Sequence, residues 1–152
     1  MPKDSRQTAV DRDLRYGNVD VFYKDYYRLM PCSNQDGMVA KLAHNHMERP
    51  FGPDVVHDQV LEVGAGDGLR LPFVRHGFRR YLMTDINEES LETAEKRAAG
   101  RRGVECGLAD AQDLPYADAS FDRLVATCVL LHLPRPEQAL REWRRVTRPG
   151  GS

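Results

Sequence analysis

Three glycines within five residues, directly behind an apolar run, constrain this chain more than any other feature. The segment VLEVGAGDG spans residues 60–68, with glycines at 64, 66 and 68. Glycine turns tightly and lets a ligand approach the backbone without meeting a Cβ. The run before it, VVHDQVLEV, reads as a strand ending near Val63. The stretch after it, from Asp67 to about His76, is expected to be a short helix, with Pro72 tolerated in its first turns. A helix N-terminus there would offer free N–H groups to negative charge. A second strand is expected over RYLMTDI, Arg80 to Ile86, which places Asp85 at its end. A carboxylate at that place in a doubly wound sheet accepts ribose hydroxyls. Glycines, strand context and Asp85 together point to a nucleoside-containing ligand.

The rest of the chain alternates in the same way. Asn87 to Ala99 reads as a helix capped by Asn87, with Leu91, Ala94 and Ala98 inward and Gly100 as its stop. Val104 to Ala109 is a third, short strand, and a polar loop follows from Asp110 to Ser120. That loop is long enough to hold a short crossover helix. Phe121 to Leu131 contains a fourth strand, apolar as a doubly covered sheet requires. Pro136 to Val146 is a helix with proline first, its buried face predicted from Ala139, Leu140, Trp143 and Val146. Strands alternating with helices predict an α/β fold with a parallel sheet and right-handed crossovers. Residues 1–53 differ. Val19 to Met30 and Met38 to Met47 read as amphipathic helices, and Pro50, Gly52 and Pro53 then break the chain. The expected organisation is an N-terminal helical cap or lid, 1–53, on a core at 54–152.

Composition removes several function classes. A chain of 152 residues suits one domain. Its 22 basic and 23 acidic residues leave no basic excess for nucleic acid. The longest apolar stretch, Leu124 to Leu131, has 8 residues, against the roughly 18 that span a bilayer, so no membrane partner is expected. The first residues carry no apolar signal segment, which points to a cytoplasmic protein. Cys32, Cys106 and Cys128 fit no metal-ligand spacing and read as small buried hydrophobes, so no metal is expected.

The ligand class follows from detail. A dinucleotide fingerprint needs a third small residue at position 69, which here is Leu69. Asp67 at the expected helix start would repel a pyrophosphate. It would suit the ammonium and sulfonium of S-adenosylmethionine, and Glu62 adds negative field there. VLEVGAGDG, MTDIN, LADAQDLPYADASFDRLVATCVLLHL and PEQALREWRRVTRPGG, in that order, resemble the class I S-adenosylmethionine-dependent methyltransferases in their small-molecule branch. The resemblance covers residues 58 to 151. It implies a Rossmann-like sheet in the order 3-2-1-4, S-adenosylmethionine as cofactor and S-adenosylhomocysteine as product. It also implies roles. Gly64, Ala65, Gly66 and Gly68 would line the methionine part, with Glu62 and Asp67 nearby. Asp85 would hold the ribose hydroxyls and Ile86 would pack on adenine. Asp110 would accept from the adenine amino group beside Ala111 and Gln112. Thr127 and Cys128 would touch the methionine end by backbone.

The resembled family continues into three further strands. Their absence from 1–152 would leave the fourth strand as an open apolar edge, which leaves three explanations: a fragment of a longer protein, the favoured one, a homodimer paired along that edge, or a short variant that binds cofactor poorly. His132, after that strand, is the candidate catalytic base or substrate orienter. Tyr16, Tyr23 and Tyr27 are candidate lid residues that would exclude water from a small-molecule acceptor. His44 and His46, two apart on a helix, do not share a face. His57 and His76 read as surface or strand-boundary residues, and the arginines of the last helix as a solvated face. The expected reaction is methyl transfer to an O, N or C nucleophile. The rivals are a binding module without activity, a nicotinamide oxidoreductase, and a nucleic-acid methyltransferase, which would want a different motif after the fourth strand.

Overall fold

The apolar end of the first strand forms the middle of the sheet. In this computed structural model, residues 38–152 are described, so Val19 to Met30, Cys32, Tyr16, Tyr23 and Tyr27 lie outside the described residues. Helix α1 (Met38–Glu48) precedes β1 (Val56–Val63). Then come β2 (Gly77–Asp85), α2 (Glu88–Ala98), β3 (Val104–Leu108), β4 (Arg123–Ala126) and α3 (Pro136–Val146). All strand pairs are parallel and the order is β3-β2-β1-β4, as the alternation and the resemblance require.

Strand side chains alternate between faces, so an interior strand must be apolar on both. Val60, with Tyr81 and Met83, packs on one face against Ala94 and Ala98 of α2. Leu61 and Val63, with Leu82, pack on the other against Ala139, Trp143 and Val146 of α3. The cap of α2 is as expected: the Asn87 side chain accepts from the Ser90 amide at 2.8 Å.

Five local expectations are corrected. Asp67 to His76 is no α-helix; it holds only a 3-10 turn, Leu71–Phe73. Glycines 66 and 68 sit at positive φ, and Pro72 lacks the N–H that a longer helix would need there. The Asp110 to Ser120 crossover contains no helix, only turns and an Asp110–Asp113 bridge. Leu140 is 50% exposed, because the helical period turns Ala139, Trp143 and Val146 inward and leaves Leu140 to one side. Cys128 is exposed, with φ +59, rather than buried. Arg145 and Arg148 are not simply solvated. Arg145 donates to the Leu114 and Tyr116 carbonyls and pairs with Glu142 and Asp118, while Arg148 pairs with Asp122.

The β4 edge is not wholly open. The Leu124 amide donates to the Ser152 carbonyl at 2.8 Å, and the Ser152 amide to the Asp122 carbonyl at 3.0 Å. Ser152 therefore sits beside Arg123 as a parallel strand would. Because Leu61 has no exposed surface and stands in the central strand, Leu61→Ala should cost about 2–5 kcal/mol of stability. Urea unfolding followed by Trp143 fluorescence would measure it.

Candidate functional site

The carboxyl ends of β1, β2 and β4 meet at the glycine loop. Gly64, Gly66 and Gly68 all adopt positive φ, which favours glycine at each. Gly64 has a second reason: a Cβ there would stand 2.5 Å from Cγ2 of Val129, in the segment after β4. The loop thus lies directly under the residues that follow β4, and its backbone can approach them only without a side chain.

Asp85 ties the loop to β2. Its Oδ2 accepts from the Gly66 amide at 2.8 Å and its Oδ1 from the Asn87 amide at 2.9 Å. Burial pushes its carboxyl above the usual range, while the Asn87 and Gly66 amides pull it back. Each carboxylate oxygen has a second lone pair, so Asp85 can still accept hydroxyls. Ile86, half-buried, follows directly. Thr127, at the end of β4, has its Oγ1 buried with no hydrogen-bond partner. A buried hydroxyl without a partner is costly, and a ligand can satisfy it. His132 closes a 3-10 turn, Leu130–His132, and burial lowers its imidazole below the usual range.

Not every expected contact points the same way. Asp110 Oδ1 accepts from the Gln112 amide at 2.8 Å, forming an Asx turn at the end of β3. Gln112 is fully buried and serves α3: its Oε1 accepts from the Arg135 amide and its carbonyl from Gln138. The Ala111 carbonyl takes the Trp143 indole N–H at 3.0 Å. Asp67 is half-buried and pairs with Arg97 of α2 at 3.1 Å.

Glu62 is 3% exposed and stands in a buried polar cluster that the sequence reading missed. Tyr81 Oη donates to Glu62 Oε2 at 2.7 Å, and Arg70 Nη1 donates to Tyr81 Oη at 2.6 Å. Glu48, from α1, has no exposed surface; it pairs with Arg70 and, at 2.8 Å, with Arg123 of β4. The Arg123 guanidinium also lies 3.6 Å from the centre of the Phe51 ring. His76 is buried, not at the surface, and stands 3.9 Å from Glu48. His44, also buried, stacks on Phe73. The available signal was Arg123 and Tyr81 inside strands that the core requires to be apolar.

Residues 61–152 match the family model of the methyltransferase domain. The chain belongs to the class I S-adenosylmethionine-dependent methyltransferases. It is similar to methyltransferase GfsG of Streptomyces halstedii, 38% identical over 61% of this chain and 35% of that one. It is also similar to a demethylmenaquinone methyltransferase of Clavibacter sepedonicus, 34% identical over 64% and 40%. The fold matches the crystal structure of YcgJ from Bacillus subtilis with a TM-score of 0.63, at 24% identity over 73% and 48% of the two chains. The chain thus spans well under half the length of those two curated relatives. The family's cofactor, S-adenosylmethionine, fits what is here: a glycine-rich loop at positive φ, an acid at the end of β2, and an unsatisfied Thr127 hydroxyl at the end of β4.

Two outcomes follow from the buried cluster. Glu48→Ala leaves Arg70 and Arg123 without their shared carboxylate and should cost about 3–5 kcal/mol, read by urea unfolding. Burial holds His44, His57, His76 and His132 below the usual imidazole value. Groups with depressed folded pKa values stabilise most when neutral, so stability should fall as pH drops from about 6.5. Glu62 and Asp85, both raised by burial, act in the opposite sense from about pH 4 upward. Urea midpoints at neutral and mildly acidic pH should show the net loss.

Proposed function

We propose that this chain binds S-adenosylmethionine and transfers its methyl group to an O, N or C nucleophile of a small molecule. The observation that carries the reading is the Gly64–Gly68 loop, bonded to Asp85 at the carboxyl edge of a β3-β2-β1-β4 sheet. The relative named demethylmenaquinone methyltransferase supports an acceptor that is not a nucleic acid. The bound cofactor supplies an activated methyl on a sulfonium, a good leaving group. The protein's part is then placement and proton removal.

In this reading Gly64, Ala65 and Gly66 present backbone to the methionine end, and Glu62 and Asp67 favour its cations. Asp85 accepts the ribose hydroxyls, and Ile86 packs on the adenine. Asp110, with Ala111 and Gln112, flanks that ring, and Thr127 and Cys128 close the methionine side. His132, whose imidazole burial holds below the usual range, is the base for an acceptor that carries a proton. Tyr16, Tyr23 and Tyr27 are the proposed lid. Homodimer pairing along β4 belongs to this reading only beyond Leu124, since Ser152 already takes that amide.

Calorimetric titration with S-adenosylmethionine, S-adenosylhomocysteine and NADH tests the reading. The first two should bind and NADH should not, and Asp85→Ala should weaken binding by about tenfold or more, at least about 1.4 kcal/mol. Tight NADH binding, or no binding of any of the three by the folded chain, would overturn it.

A further inference from the structure

Arg70 has a use beyond its ion pair. A guanidinium carries donors and no acceptor. Because Arg70 Nη1 donates to Tyr81 Oη at 2.6 Å, the tyrosine oxygen must accept there. Its single proton is then directed to Glu62 Oε2, 2.7 Å away. A carboxylate that receives a directed hydroxyl proton is favoured as the charged acceptor. Tyr81 is itself locked as a neutral phenol, because burial and the neighbouring Glu62 charge raise its hydroxyl well above the usual range. Arg70 is held in turn by Glu48 of α1, which Arg123 also grips. Glu62 stands two residues before Gly64, at the mouth of the loop.

We propose that Arg70 and Tyr81 are positioning residues, which orient Glu62 as an ionised acceptor for the ammonium of the cofactor's methionine end. This rests on the cofactor reading above. Glu48 extends the relay, so that docking of α1 on the sheet and recognition of the ammonium share one chain of hydrogen bonds. Burial acts against the charged form and leaves the Glu62 carboxyl above its usual range, while Arg70 and the Tyr81 hydroxyl pull it back down. The charges facing Glu62 are Arg70 and Arg123, which favour ionisation, and Glu48, which opposes it; the Tyr81 hydroxyl favours it.

The test compares two ligands that share adenosine. S-adenosylhomocysteine carries the ammonium, and 5′-methylthioadenosine lacks the whole amino-acid end. Tyr81→Phe keeps the ring in the core and removes the directed proton. Its affinity for S-adenosylhomocysteine should fall about tenfold or more, while that for methylthioadenosine stays within about twofold. Glu62→Gln should show the same split. A parallel loss of both ligands, or no loss of either, would overturn the positioning role and leave the cofactor reading standing. Failure of the wild-type chain to bind either ligand would overturn both. A readout free of ligand comes from the Glu62 carboxyl resonance in ¹³C NMR. Its titration midpoint should rise in Tyr81→Phe, and an unmoved midpoint also overturns the proposal.

Discussion

The double burial of β1 is the constraint from which the rest follows. Val60 and Leu61 have no exposed surface, and they face opposite sides of the sheet. A strand apolar on both faces can sit only between two helical layers, with partner strands on both edges. β2 and β4 supply those partners, and both run parallel to it. Parallel strands end together, so the chain leaving Val63 emerges beside Asp85 and Thr127 at one edge. The glycine loop forms there because the backbone must turn under Val129 within a few residues.

The second consequence concerns charge. α1 reaches the sheet through a carboxylate rather than through apolar side chains alone. Glu48 sits between Arg70 and Arg123, with three histidines close by whose imidazoles burial holds below the usual range. Pairs of this kind contribute little net stability compared with apolar packing, but removing one partner is costly. What the arrangement does provide is direction. Each guanidinium can only donate, so the hydrogen bonds run one way, from Arg70 through Tyr81 to Glu62. An acid next to the glycine loop is thereby connected to α1, which precedes β1.

Much of this was legible beforehand, for identifiable reasons. α2 and α3 announced themselves through caps and period: Asn87 and Gly100 bound one, Pro136 starts the other. β1 and β2 showed in their apolar ends. The expected Asp67–His76 helix closes instead as a turn, because positive-φ glycines at 66 and 68 and Pro72 interrupt the helical backbone. Gln112 and Ala111 lie where the motif order suggested, but their polar atoms hold α3. The cluster under Glu62 showed in the sequence only as Arg123 and Tyr81 standing inside apolar strands. Its members, Glu48, Arg70, Tyr81 and Arg123, are spread over 75 positions between Glu48 and Arg123.

By itself the sequence determined the alternation, the parallel sheet, the glycine loop and the acid that faces it. Those depend on local periodicity and on spacings of about twenty residues, which a chain carries in one dimension. Tertiary structure alone decided which polar residues are buried together, which way their protons point, and how Ser152 meets β4. Those depend on groups far apart in sequence sharing a few ångströms of low-dielectric space. There an unpaired charge is costly, and each donor must find its acceptor.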